Sequence, residues 1–133
     1  VVFTPPSRLA PLALQNKKIL YDLLFRTSAD TLLEVARDLR HLGAEIGFFS
    51  VLHTWSQQLK LHPHRHCVVP AGGLSLDHTR WIRSRDNYFL PKKVLQKVFR
   101  GKFVDVLEQA FQNGQLRCAG DLKLLAQPKI SAA

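Results

Sequence analysis

His62-Pro63-His64-Arg65-His66-Cys67-Val68-Val69-Pro70 is the stretch whose conformation decides the fold. Its histidines stand at alternate positions and lead into a short β-branched run, a pattern that predicts a strand. Side chains alternate between the two faces of a strand, so His62, His64 and His66 project from one side and Arg65 and Cys67 from the other. Imidazoles two residues apart on one face can converge on a single cation. The same alternation also describes the polar face of a half-exposed strand, so the flanking sequence has to decide.

On the amino-terminal side, Ile46 to Trp55 is aromatic and β-branched and predicts a neighbouring strand, with Ser56 to Leu61 as a polar connection. His53 lies in that neighbour, eleven residues before His64. A strand, a short connection and a second strand can bring such positions side by side, which gives a candidate three-histidine site of His53, His64 and His66. Neutral imidazoles with open positions between them leave a divalent ion free to bind a substrate oxygen and act as a Lewis acid. His62, next to Pro63, falls at the strand entrance and ranks behind these three. Gln57 and Gln58 are further oxygen donors in the connection. Cys67 points away from His64 and His66 by parity, so a mixed Cys/His zinc centre is not expected.

On the carboxy-terminal side, Pro70-Ala71-Gly72-Gly73 predicts a turn, Leu74-Ser75-Leu76 a return strand, Asp77-His78 a second turn, and Arg80-Trp81-Ile82-Arg83 another strand. A hairpin hung directly off the histidine strand places that strand near the sheet centre.

Further out, Val1 to Thr4 reads as a short strand stopped by Pro5-Pro6. Asn16 stands as N-cap of a helix beginning at Lys17, with Ile19, Leu20, Leu23, Leu24, Leu32, Leu33, Ala36 and Leu39 as its apolar stripe. Ser28 and Asp30 divide that pattern into two helices, the second ending through Arg37, Arg40 and His41 at Gly43. Pro91 opens another helix, with Val94, Leu95, Val98, Phe99, Val106, Leu107, Ala110 and Phe111 on its apolar side and Gly114 at its end. Gly101 weakens the middle of that helix and allows a bend. A short helix over 122–126 and a frayed end at 127–133 complete the chain. Few crossovers suit a parallel sheet here, so the expected class is α+β: a mostly antiparallel sheet with helices packed on one face.

Composition narrows the partners. The 133 residues carry a formal charge of +9, which favours a polyanion: nucleic acid or an acidic membrane surface. No apolar run is long enough to span a bilayer and the start lacks a signal-peptide layout, so nucleic acid gains over the membrane. The two cysteines, Cys67 and Cys118, have no zinc-finger spacing and suit a reducing cytosol. Arg80, Arg83, Arg85, Lys92, Lys93, Lys97 and Arg100 are candidate phosphate contacts, and Trp81 a candidate base-stacking surface.

His64-Arg65-His66, within the longer run to Gly73, resembles the histidine–hydrophobic–histidine (HUH) motif of single-strand DNA endonucleases. Val1-Val2-Phe3-Thr4, Leu20 to Phe25, His41 to Phe49, Leu52-His53-Thr54-Trp55 and Phe89-Leu90-Pro91 resemble, in the same order, the two-tyrosine transposases of rolling-circle insertion sequences. The resemblance implies an HUH-like fold over residues 1–126, as the core domain of a longer bacterial protein that acts in the cytoplasm on single-stranded DNA at transposon ends. It implies Mg²⁺ or Mn²⁺ held by His64 and His66, polarising the scissile phosphate while a tyrosine cleaves one strand, and a 5′-phosphotyrosine beside a free 3′-hydroxyl. The offset of His53 resembles the third histidine of conjugative relaxases.

Two departures stand beside it. Arg65 occupies the middle of the motif, where the family carries an apolar residue; its stem can pack while the guanidinium reaches solvent. The family's pair of tyrosines, separated by three intervening residues on a downstream helix, has no counterpart, since Tyr21 and Tyr88 are the only tyrosines. The chain therefore reads as a metal-binding core, inactive by itself, whose nucleophiles are expected downstream. Two other readings stay open: a zinc-dependent hydrolase built on the three histidines, and a DNA-binding remnant without cleavage activity.

Overall fold

A computed structural model describes residues 1–5, 9–55, 61–86 and 89–116, with Trp55, Leu61 and His62 described by their backbone alone. Gln57, Gln58, Tyr88, Cys118, the expected helix over 122–126 and the frayed end over 127–133 lie outside the described residues.

The fold is α+β, with all described strand pairs antiparallel. The elements are β1 (Val2–Phe3), α1 (Ala10–Gln15), α2 (Lys17–Arg37), β2 (Ala44–Glu45), β3 (Phe49–Trp55), β4 (Leu61–Val68), β5 (Gly72–Ser75), β6 (Trp81–Arg83) and α3 (Lys92–Gln112). They form two three-stranded sheets, β1-β4-β3 and β2-β5-β6. The histidine strand β4 is the central strand of the first. The strand expected over Ile46–Trp55 begins only at Phe49, where pairing with β4 starts, and a separate short strand precedes it, in which Ala44 and Glu45 pair with Ser75 and Leu74. The chain changes sheets between them.

Both glycines of the expected Gly72-Gly73 turn open β5. They are required by close approach. A Cβ on Gly73 would run into the Glu45 carbonyl, whose carbon lies 2.9 Å away, and one on Gly72 would meet Trp81 Nε1 at 2.8 Å.

The helices pack on the inner face of the first sheet. Leu20, Leu23, Leu24, Leu32, Val35 and Ala36 of α2 and Leu95, Phe99, Phe103 and Leu107 of α3 are buried there with Phe3 and Cys67. Helix α2 is continuous through Ser28 and Asp30. Thr27 Oγ1 donates to the Leu23 carbonyl at 2.7 Å, Ser28 Oγ to Phe25 at 3.0 Å and Thr31 Oγ1 to Thr27 at 2.6 Å, so buried hydroxyls are satisfied inside the helix. Asn16 marks the start of α2, but its side chain donates backwards to the Leu12 carbonyl and does not cap the helix. It joins α2 to α1, a short helix the sequence pattern concealed because it opens on Pro11 and buries only Leu12 and Ala13.

Helix α2 stops at Arg37, earlier than expected. Arg40, His41 and Gly43 follow in a turn where His41 and Gly43 amides donate to the Asp38 carbonyl, and Gly43 takes φ +68°. Leu33 and Leu39, assigned to the apolar stripe, are exposed; Leu39 retains 81% of its surface. Helix α3 runs through Gly101 without a break.

Candidate metal centre

Strands β3 and β4 pair in register from Phe49↔Val68 to His53↔His64, and the pairing shifts by one residue before Trp55↔Leu61. Pro63 sits next to that shift. It has no N–H to offer the ladder, so the irregularity falls where the sequence makes it least costly. On the near side of the shift, His53 lies directly opposite His64, and His66 lies opposite Val51, diagonal to His53.

The three side chains share the outer face of the sheet. Ring centroids are 4.4 Å apart for His53–His66, 4.9 Å for His64–His66 and 5.3 Å for His53–His64. One ring nitrogen from each can be chosen so that all three lie within 4.8 Å of one another. Nitrogens bound to one divalent ion at ~2.1 Å stand about 3–3.5 Å apart, so small ring rotations close the triangle. The donor set fits a cation that accepts imidazole and keeps open positions, because only one face of the triangle is walled by the sheet. His66 titrates below the ordinary histidine range, first through desolvation and then through the charges of His53 and His64. That favours the neutral ring, which is the ligating form. The side chain of His62 is outside the described set.

On the opposite face of β4, Arg65 is buried, 1% exposed, which corrects the expectation that its guanidinium reaches solvent. Its guanidinium carbon lies 3.3 Å from the centroid of the Phe25 ring, and one terminal nitrogen donates to Ser50 Oγ. Nε and Nη1 have no hydrogen-bond partner among the described residues. Burial pushes its pKa down from the usual arginine value. The guanidinium thus sits against the Phe25 ring on the inner face of β4, within cation–π range.

The basic residues fall into two groups. Arg80, Arg83 and Arg85 are exposed on and beside β6. Lys93, Lys97 and Arg100 line one shallow groove along α3, which Asp105 and Glu108 also border, so that stripe is not uniformly positive. Trp81 is 57% exposed on β6. Arg40 and His41, explained from the sequence as helix-end residues, lie beyond the helix. Arg40 is clamped by Asp38, with Nε 3.1 Å from Oδ1 and Nη2 2.8 Å from Oδ2. Tyr21 is half-buried on α2 and desolvation raises its pKa, which opposes a nucleophilic role. No helix among the described residues is long and apolar enough to cross a membrane.

Comparison with known proteins follows the same residues. The family model Y2_Tnp, described as "Putative transposase", matches residues 47–131. The chain is 55% identical over 125 residues to "Putative transposase y4qJ" of Sinorhizobium fredii, covering 94% of this chain and 31% of that protein. It is 45% identical over 74 residues to "Transposase for insertion sequence element IS801" of Pseudomonas savastanoi pv. phaseolicola, covering 56% of this chain and 17% of that one. The chain therefore spans under a third of the length of these relatives. No solved structure matches it.

Proposed function

The chain belongs to the Y2_Tnp transposase family, and on that premise we propose that it forms the metal-binding core of a transposase that nicks and transfers one DNA strand in rolling-circle transposition. The observation that carries this reading is the outward-facing triangle of His53, His64 and His66 on two paired strands. These three would hold Mg²⁺ or Mn²⁺, which when bound supplies Lewis-acid polarisation of a phosphodiester oxygen.

The chain's own residues do the rest of the positioning. The sheet holds the three imidazoles in fixed directions, and the depressed titration of His66 keeps a lone pair available at neutral pH. Arg80, Arg83, Arg85, Lys93, Lys97 and Arg100 meet phosphates of a single DNA strand at the transposon end, and Trp81 offers a ring to a base. In the reaction a tyrosine hydroxyl, from outside the described residues, loses its proton and attacks phosphorus. The P–O3′ bond breaks, the 3′-oxygen leaves and takes a proton, and the 5′-phosphate stays on tyrosine.

The test uses the full-length protein with a single-stranded transposon-end oligonucleotide. Cleavage with Mg²⁺ or Mn²⁺ and a covalent protein–DNA adduct are expected, both lost in the H64A/H66A variant. The three-nitrogen set also admits zinc, and zinc-dependent turnover without an adduct would replace the transposase reading with hydrolysis. Salt-sensitive binding of single strands with no cleavage under any metal would make the protein a DNA-binding remnant.

A further inference from the structure

The turn after α2 and the end of β6 enclose a small polar pocket of about 200 Å³, away from the histidine triangle. Arg40 and His41 enter it from the turn, and Arg83, Ser84 and Arg85 from the strand end, over Leu42 and Phe89. Three arginines therefore line one cavity together with Leu42 and Phe89, and Asp38, outside that lining, pairs with Arg40. That carboxylate is held at a pKa of about 2 by its hydrogen bonds from Arg40, so it stays ionised and fixes the arginine. Its two contacts engage Nε and Nη2 of Arg40 and leave the Nη1 edge for an outside acceptor. Asp86, the next residue after Arg85, does not line the pocket.

Size selects the ligand. At ~30 Å³ per water the cavity holds about seven waters, room for a tetrahedral oxyanion but below the ~300 Å³ of pockets that enclose a drug-sized molecule. Arginine forks match phosphate oxygens in pairs. We propose that Arg40, Arg83 and Arg85 form a phosphate-binding pocket that grips one backbone phosphate of the DNA strand a few nucleotides from the histidine triangle. The DNA part of this proposal rests on the transposase reading; the phosphate chemistry rests on the pocket alone.

The spacing follows from the chain. Ser84 amide and Oγ both donate to the Ala71 carbonyl, at 3.1 and 3.3 Å, which ties the pocket to the segment leaving β4. Ala71 is five residues after His66, and five residues reach at most about 18 Å. A DNA strand of a few nucleotides is long enough to cover that separation. The sequence alone accounts for Arg40 and His41 only as helix-end residues.

Two measurements test it. In the first, inorganic phosphate is titrated into the isotope-labelled protein, and saturable shifts of the Nε–Hε signals of Arg40, Arg83 and Arg85 are expected. Absence of those shifts overturns the pocket. In the second, a single-stranded oligonucleotide is made neutral at one linkage at a time with methylphosphonate, and its affinity is read by fluorescence anisotropy.

One neutral linkage is expected to weaken binding to the natural protein by about five- to tenfold. R83Q/R85Q should bind the unmodified strand more weakly by a similar factor and become indifferent to that linkage. K17Q, a charge control at the opposite end of α2, should keep the full linkage response. An R83Q/R85Q variant that keeps it too shows that the phosphate sits elsewhere and overturns the proposal. Phosphate shifts without any oligonucleotide binding would support the pocket and remove the DNA reading.

Discussion

Replacing Arg65 with methionine should stabilise the protein, although it removes a hydrogen bond and a ring contact. Arginine and methionine are both unbranched, so the change leaves little cavity beneath Phe25. Arg65 buries two donors, Nε and Nη1, that have no partner among the described residues. Each such donor costs about 1–3 kcal/mol, roughly 4 kcal/mol for the two. On the favourable side, the contact with the Phe25 ring, itself 55% exposed, contributes about 1 kcal/mol, and the bond to Ser50 Oγ about 1.5 kcal/mol.

The two unpaired donors outweigh these favourable terms by about 1.5 kcal/mol. The expected net gain is about 1–2 kcal/mol, read as a higher urea midpoint at unchanged slope and a Tm rise of roughly 3–6 °C. A double-mutant cycle isolates the ring contact. Phe25→Ala should cost about 1 kcal/mol more in the natural background than in R65M. A loss of about 1 kcal/mol or more in R65M, or a cycle with no coupling, would refute the picture of a half-satisfied buried arginine.

Three other substitutions report on separate parts of the fold. Gly101 lies exposed in mid-helix with open space for 4 Å around the position a Cβ would take, so G101A should stabilise by about 0.5–1 kcal/mol in the same urea titration. G73A should instead cost about 2–4 kcal/mol, because the new methyl meets the Glu45 backbone across the β2–β5 pair; amide exchange at Glu45 and Leu74 should rise with it. Asp77 accepts hydrogen bonds from Ser75 Oγ and from the Thr79 amide and hydroxyl, which hold its pKa at about 2 against an ordinary 3.8. A carboxylate depressed in the folded state contributes stability above its unfolded pKa and loses it as pH falls. Acid titration of D77N should therefore show a shallower loss of stability between pH 3.8 and 2 than the natural chain.

What the sequence disclosed was mostly what periodicity encodes. Alternation placed His64 and His66 on one face of β4 and Cys67 on the other, and the offset of His53 put it across from His64, as the strand register has it. The stripe of α3 was readable from its apolar spacing, although Phe103, one of the most buried side chains, was not assigned to it. Three things were hidden. Ala44 and Glu45 carry no strand pattern of their own, and only their pairing with β5 reveals a short strand of the second sheet ahead of β3. Gly72 and Gly73 carry the composition of a turn, whereas the cause is the proximity of Trp81 and Glu45, which is tertiary. The buried guanidinium of Arg65 depends on Phe25, forty residues earlier on another element, and no local rule connects them.

The shift beside Pro63 has a consequence for how this protein can vary. Two registers meet there, one that aligns the histidines and one that holds only at Trp55↔Leu61. A slip of the first by one residue would turn His64 and His66 inward and Arg65 and Cys67 outward. With the irregularity already in place, a gain or loss of residues between Trp55 and Leu61 can be absorbed at the far end without moving the His53–His64 pair. The same change made between His64 and Val68 has nowhere to go. Insertions and deletions among related chains should therefore gather between 55 and 61 and stop at Pro63.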